Sequence, residues 1–249
     1  IITYITFLFL LFLFYEYDYF KGHPEILIFS LLVLISKYFF LLTKNEKKDA
    51  SLFLFLIFLL SNLILWIKSE GSVYFFIILL LLILQNQILL KKRLTFLSLF
   101  IFSYFLKLAI YKITGLGLEE GLDDVYNLSY ILGLDPIIVI DKLLKIVIWF
   151  FYYSSVNIFL LIFIFLVIYE KFYEKEYHKK NFRYNLILLC YLFLIIIFIL
   201  FAYIFRDAEI MYAIRTTMDR LVMTASGFLV FPSLIKFLSF IRFKNLKFD

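Results

Sequence analysis

A single cysteine, Cys190, stands in the chain, so no intrachain disulfide exists and no cysteine cluster offers metal-ligand spacing. It sits inside an apolar block, where it reads as a small residue facing lipid or a neighbouring helix. Histidine is almost as scarce. His23 and His178 both fall in loops and read as solvated residues. Glycine, with seven copies, and proline, with three, are too few for phosphate-cradling loops or for spans broken at a binding site. No Gly-x-Ser-x-Gly elbow is present. No Asp or Glu lies at the middle of an apolar block, which argues against a proton-coupled pump.

What the chain has is hydrophobic bulk. Sixty-five per cent of its residues are hydrophobic and the mean hydropathy is +1.00. A soluble domain of this size cannot hide that much apolar side chain. The apolar residues come in eight blocks: Ile1 to Tyr15, Glu25 to Leu42, Ala50 to Ile67, Ser72 to Leu90, Leu94 to Ile113, Tyr153 to Tyr169, Asn185 to Phe205, and Leu221 to Phe240. Helices of such length match the hydrocarbon thickness of a bilayer. A β-barrel would alternate apolar and polar residues, and these blocks do not. The fold expected is an all-α membrane protein of about eight transmembrane helices, forming a single polytopic domain over residues 1–249. The abundance of Phe, Ile, Leu, Tyr and Lys reads as the coding bias of an AT-rich genome, so aromatic residues alone mark no site.

The net charge of +6 follows topology and gives no reason to expect nucleic-acid binding. Alternate loops carry Lys44, Lys47 and Lys48, then Lys91, Lys92 and Arg93, then Lys171 to Arg183, then Arg242, Lys244 and Lys247. The opposite loops carry acid: Glu16, Asp18, Glu70, and Glu119, Glu120, Asp123 and Asp124. The positive-inside rule puts the basic loops and the C-terminus in the cytoplasm, with a bacterial cytoplasmic membrane expected. Between blocks five and six, Asp135 suits an N-cap and Pro136 a first helical position. Asp141, Lys142 and Lys145 share one face. The segment Pro136 to Phe151 is therefore expected as an amphipathic helix in the outer interface.

Few polar residues interrupt the spans. Lys107 is placed either to line a water-filled cavity or to snorkel outward. Lys37 is expected to snorkel inward. Asn62, Gln85, Asn86, Gln87 and Asn157 are expected to bond across helices. The acidic loop Glu119, Glu120, Asp123 and Asp124 has the carboxylates to bind a divalent cation, or is simply solvated. Asn127-Leu128-Ser129 has the form of a glycosylation sequon.

The outer segment 206–220 breaks the charge rule with Arg206, Arg215 and Arg220, beside Asp207, Glu209 and Asp219. An anionic partner accounts for such an exception, since a guanidinium fork grips phosphate with paired hydrogen bonds. An Arg215–Asp219 pair at i, i+4, with Arg220 touching headgroups, is the simpler account on spacing alone.

The order of elements from Leu132 onward is an interfacial helix, a span, a basic loop, and a span ending Phe201-Ala202-Tyr203-Ile204-Phe205. An acidic turn follows, then Ile214-Arg215-Thr216-Thr217-Met218-Asp219-Arg220-Leu221 and a last span. This resembles the C-terminal portion of bacterial polytopic glycosyltransferases of the GT-C class, which carry a Thr-Ser-Leu-Asp-Arg-Leu pattern here. The resemblance covers less than half the chain, and the proline of the pattern is displaced to Pro232. It implies transfer of a sugar from a polyprenyl-phosphate carrier to a glycan, lipid or protein acceptor at the outer face. Arg215 and Arg220 would hold the lipid phosphate, with Asp219, Glu209 and Arg206 in support. The catalytic acid of such enzymes lies in the first outer loop. The loop Glu16 to Pro24 is short for that role, and with Ile1-Ile2 in place of Met the chain is expected to be the rear of a longer protein. A non-catalytic membrane subunit and a transporter or flippase stay open as alternatives.

Overall fold

The computed structural model describes residues 24–44, 50–68, 70–85, 90–115, 136–173, 182–205 and 210–245, with side chains to residue 238. Every regular element among them is helical: α1 (Glu25–Lys44), α2 (Ala50–Ile67), α3 (Gly71–Ile83), α4 (Leu90–Thr114), α5 (Pro136–Val156), α6 (Ile158–Tyr173), α7 (Phe182–Ile204) and α8 (Ile210–Asn245). Five of these are long and apolar enough to cross a membrane, and the bent pair α5–α6 makes a sixth. The first apolar block, Ile1 to Tyr15, lies outside the described residues.

The bundle is built on α1 and α8, which form the most extensive interface. Ile28, Leu32, Ile35, Phe39 and Leu42 recur at intervals of three and four residues and form one buried seam on α1. Phe228 of α8 packs against this seam. The Phe39 and Phe228 rings meet edge to face at 5.9 Å, and Tyr191 of α7 stacks on Phe228 at 4.2 Å. The α8 backbone comes so close to α1 that a Cβ on Gly227 would lie 2.5 Å from the Phe29 carbonyl oxygen. Gly227→Ala is therefore expected to push the two helices apart and to cost ~1–3 kcal/mol, the usual penalty of overpacking, measured as thermal unfolding in detergent.

Around this pair, α2 packs on α1, α3 on α2, and α4 on α2 and α3, while α6 packs on α8 and α7 touches α3, α5 and α8. The outside of the bundle is as apolar as its interior. Phe102, Phe105, Phe165 and Phe193 are each more than half exposed. Lipid is the solvent that suits such a surface. The fold is thus an all-α membrane protein.

Three boundaries differ from the sequence expectation, each for a local reason. The fourth block was expected to run to Leu90, but α3 stops at Ile83, giving thirteen residues and a length of roughly 20 Å. Arg93, in the first turn of α4, donates from Nη1 to the Ile83 carbonyl at 3.0 Å and caps that end. The helix expected in the interface runs to Val156, five residues beyond Phe151, and turns into α6 through 79°. Neither glycine nor proline makes this bend. Asn157 does, because its Oδ1 accepts the Leu160 backbone N–H at 3.0 Å and starts a new helix. Its amide nitrogen also reaches Met223 Sδ at 3.7 Å, a contact across helices. Trp149, Tyr152 and Tyr153 cluster just before the bend, as aromatic residues do at a membrane interface. Lys142 does not share the exposed face of Asp141 and Lys145. Those two pair at 2.6 Å, whereas Lys142 turns inward and is buried. Finally, α8 begins at Ile210, so the segment from Ile214 to Leu221 is one continuous helix with the last span.

Candidate functional site

Charged side chains from α1, α8 and the link between α2 and α3 meet at one end of the bundle. Glu25 opens α1, where the helix dipole favours an anion. Its Oε1 accepts a hydrogen bond from Lys68 Nζ at 3.0 Å and lies 3.6 Å from Arg220 Nη1. Lys68, in the link between α2 and α3, also sits 3.2 Å from Glu70. Partial burial alone would push the Lys68 ammonium down, but its bond to Glu25 and the charges of Glu70 and Glu25 outweigh that and raise it. Arg220 is fixed from below as well, since its Nη2 donates to the Thr216 carbonyl at 2.9 Å. Glu25 is only 6% exposed, and its second oxygen is buried without a hydrogen-bond partner.

The Thr-Thr-Met-Asp-Arg-Leu stretch divides its side chains by helical period. Met218 faces the core with Ile214. Thr217 meets the Tyr203 hydroxyl at 2.7 Å and joins α8 to the end of α7. Arg215 is exposed. The simple i, i+4 pair does not form: Asp219 makes no ion pair with Arg215, and Asp219 Oδ1 is buried without a hydrogen bond. An acid placed four residues after its base, as here, is the weaker order on a helix. Instead, the Tyr153 phenol of α5 lies within electrostatic reach of both Asp219 and Arg215.

Two hollows adjoin this end. Further along α8, on the side turned to α5, α6 and α7, lies an apolar cleft of about 390 Å³, with Val222, Ala225, Ser226 and Leu229 on one wall. Phe150 and Ser154 of α5, Leu161 of α6 and Ile195 of α7 line the others. The Ser154 hydroxyl is buried there without a partner. On the other side, a cavity of about 500 Å³ lies among α3, α4 and α7, bordered by Glu70, Lys107, Tyr111 and Phe201. Lys107 thus lines a cavity and does not snorkel; it is 3% exposed.

Compared with known proteins, the chain matches no family model, no curated protein and no solved structure. The chemistry therefore has to be argued from the chain's own residues. Of those singled out in the sequence, the structure brings Arg220 to Glu25 and sets Asp219 and Arg215 near Tyr153. Arg206, Asp207 and Glu209 lie outside the described residues, as do Glu119, Glu120, Asp123 and Asp124. Among the described residues no group of three His, Cys, Asp or Glu side chains is placed to hold a metal ion. Asn62 bonds within its own helix, to the Phe58 carbonyl at 2.9 Å, and not across helices.

The sequence reading passes over Glu25 and Lys68, the centre of the cluster. Both sit at the ends of apolar blocks, where a charged residue looks like a boundary marker. It also passes over a second charged group at the opposite end. Lys236 of α8 pairs with Glu170 of α6 and donates to Asn185 Oδ1 of α7 at 3.1 Å. Asn185 Nδ2 donates in turn to Glu170 Oε1 at 3.2 Å, and all three side chains are buried. Lys236 was findable, as the one charged residue within the eighth block.

Proposed function

We propose that this chain carries the lipid-phosphate end of a membrane glycosyltransferase, one that moves a sugar from a polyprenyl-phosphate carrier to an acceptor. The observation that carries this reading is an amphipathic one. On α8 alone, the helix passes from Arg215, Asp219 and Arg220 at the charged end straight into the wall of an apolar cleft. A polyprenyl phosphate has that same division. Its anionic head suits Arg220, with Arg215 one turn and a half further out, and its isoprenoid chain suits the cleft from Val222 to Leu229. The motif resemblance points to the same residues.

In this reading Arg220 and Lys68 stabilise negative charge on the departing phosphate as the glycosidic bond breaks. Glu25 holds the two cations in place, acting as a positioning residue. Positive-inside topology places this end at the outer face, where such carriers present their sugars.

The test uses the full-length native protein in nanodiscs with a radiolabelled polyprenyl-phosphate hexose and follows release or transfer of the label. Arg220→Ala is expected to lower turnover by about 10²–10³-fold, the effect of losing one donor to a developing oxyanion. Arg215→Ala, exposed and unpaired with Asp219, is expected to cost roughly tenfold or less. Equal carrier binding and turnover in wild type and Arg220→Ala would sink the assignment.

A further inference from the structure

The cavity around Lys107 has a feature the transferase reading does not use. Lys107 Nζ donates to the Leu65 carbonyl at 2.6 Å and to Ser72 Oγ at 3.3 Å, and it sits 5.1 Å from the centre of the Tyr111 ring. Among the described residues no carboxylate lies within ion-pairing distance of it. Glu70 borders the same cavity and pairs with Lys68 at 3.2 Å. An ammonium that is 3% exposed in a membrane bundle, with two neutral oxygens and a ring for company, lacks a counter-charge. Burying a cation in this way is costly, and intramembrane cations of this kind mark binding sites.

The rest of the cavity says what kind of anion fits. Its walls are aromatic: Tyr104 and Tyr111 from α4, Phe198 and Phe201 from α7, and Phe205 directly after it. Phe201 and Phe205 stack with their rings 5.4 Å apart and nearly parallel, 9° off. Both α4 and α7 pack on α3, and the cavity occupies the space between them. Leu108 and Phe201, at its border, are exposed on the apolar outside of the bundle. A ligand that enters from the membrane meets apolar rings first and a single buried cation beyond them.

We infer that this cavity is a second lipid site, which binds the phosphate head of a membrane amphiphile on Lys107 and its chain against the aromatic walls of α4 and α7. Phosphate is the group on which membrane amphiphiles commonly carry their negative charge. The ammonium supplies the point charge and its third N–H, and Ser72 Oγ is placed beside it as a further hydrogen-bonding group. The inference stands on Lys107 and its cavity. It does not depend on the chemistry proposed at Arg220.

The test is photo-crosslinking in nanodiscs made of zwitterionic lipid, using the full-length protein. The probe is dodecyl phosphate with a diazirine on its chain, and the control is the corresponding diazirine dodecanol. Adducts are mapped by mass spectrometry. The phosphate probe is expected to label residues 104–111 and 198–205, with the alcohol labelling them roughly tenfold less. Lys107→Met should reduce labelling to the alcohol's level, Lys107→Arg should keep most of it, and Arg220→Ala should leave it unchanged. Equal labelling by phosphate and alcohol overturns the inference, as does labelling that survives Lys107→Met. Full competition by inorganic phosphate overturns it too, because the site would then serve a free ion. If Lys107→Met does not assemble, the comparison of the two probes on wild type decides alone. Loss of adducts in the α8 cleft on Arg220→Ala bears only on the transferase reading, so the two proposals fail separately.

Discussion

Replacing Lys236 by methionine is expected to destabilise the protein by ~3–5 kcal/mol, because it takes the paired ammonium away from the buried Glu170 carboxylate. Lys236, Glu170 and Asn185 come from α8, α6 and α7, and all three are buried. Asn185 keeps its bond to Glu170 Oε1 at 3.2 Å in the variant, but an amide hydrogen bond does not replace a cation. The sign of the second substitution separates a true pair from mere packing. In Lys236→Met with Glu170→Gln both charges of the pair are gone, so most of the loss should be recovered. The measurement is thermal or denaturant unfolding of single and double variants in one detergent. A single variant as stable as wild type, or a double variant whose losses simply add, contradicts the pairing.

Glu25→Gln is the second large effect. The side chain keeps its size and still accepts a hydrogen bond, yet the charge that holds Lys68 and Arg220 together is gone. Hydrogen bonds to charged groups contribute ~1.5–3 kcal/mol, and the loss expected is in that range. The distances set the order of consequences. Lys68 keeps Glu70 at 3.2 Å, whereas Arg220 keeps only its bond to the Thr216 carbonyl. Arg220 is therefore the group that moves. A double-mutant cycle of Glu25→Gln with Arg220→Ala should show a coupling of ~0.5–3 kcal/mol. On the proposed function, turnover of the polyprenyl-phosphate sugar should fall in Glu25→Gln although the Arg220 guanidinium itself is intact. Zero coupling would remove Glu25 from its positioning role.

How much of this was legible in the sequence depends on the kind of signal. Spans are composition and length, so α1, α2, α4 and α7 lie close to their apolar blocks. The helix ends are set by single hydrogen bonds, and those are not composition. Arg93 ends α3 at Ile83 from the next helix, and Asn157 starts α6 with one side-chain oxygen. Nothing in the hydropathy pattern distinguishes these from neighbouring polar residues. For the site, the breach of the charge rule at Arg215 and Arg220 pointed to the end of α8 where Arg220 meets Glu25. Its partners did not show, since Glu25 and Lys68 are 43 residues apart and meet only when α1 and α2 pack. Lys107 was visible as an intramembrane charge, but cavity and snorkel look alike until α3 and α7 are placed beside it.

The central claim is that α8 holds a phosphate at Arg220 and an isoprenoid chain in the cleft further along the helix. The most direct measurement is crosslinking of a polyprenyl phosphate carrying a photoreactive first isoprene unit, with the full-length protein in nanodiscs. The account predicts adducts on Ser154, Val222 and Ala225, lost when Arg220 is replaced by alanine. Adducts spread over the outward faces of the bundle, such as Phe102 and Phe105 of α4, and unchanged in Arg220→Ala, would contradict it.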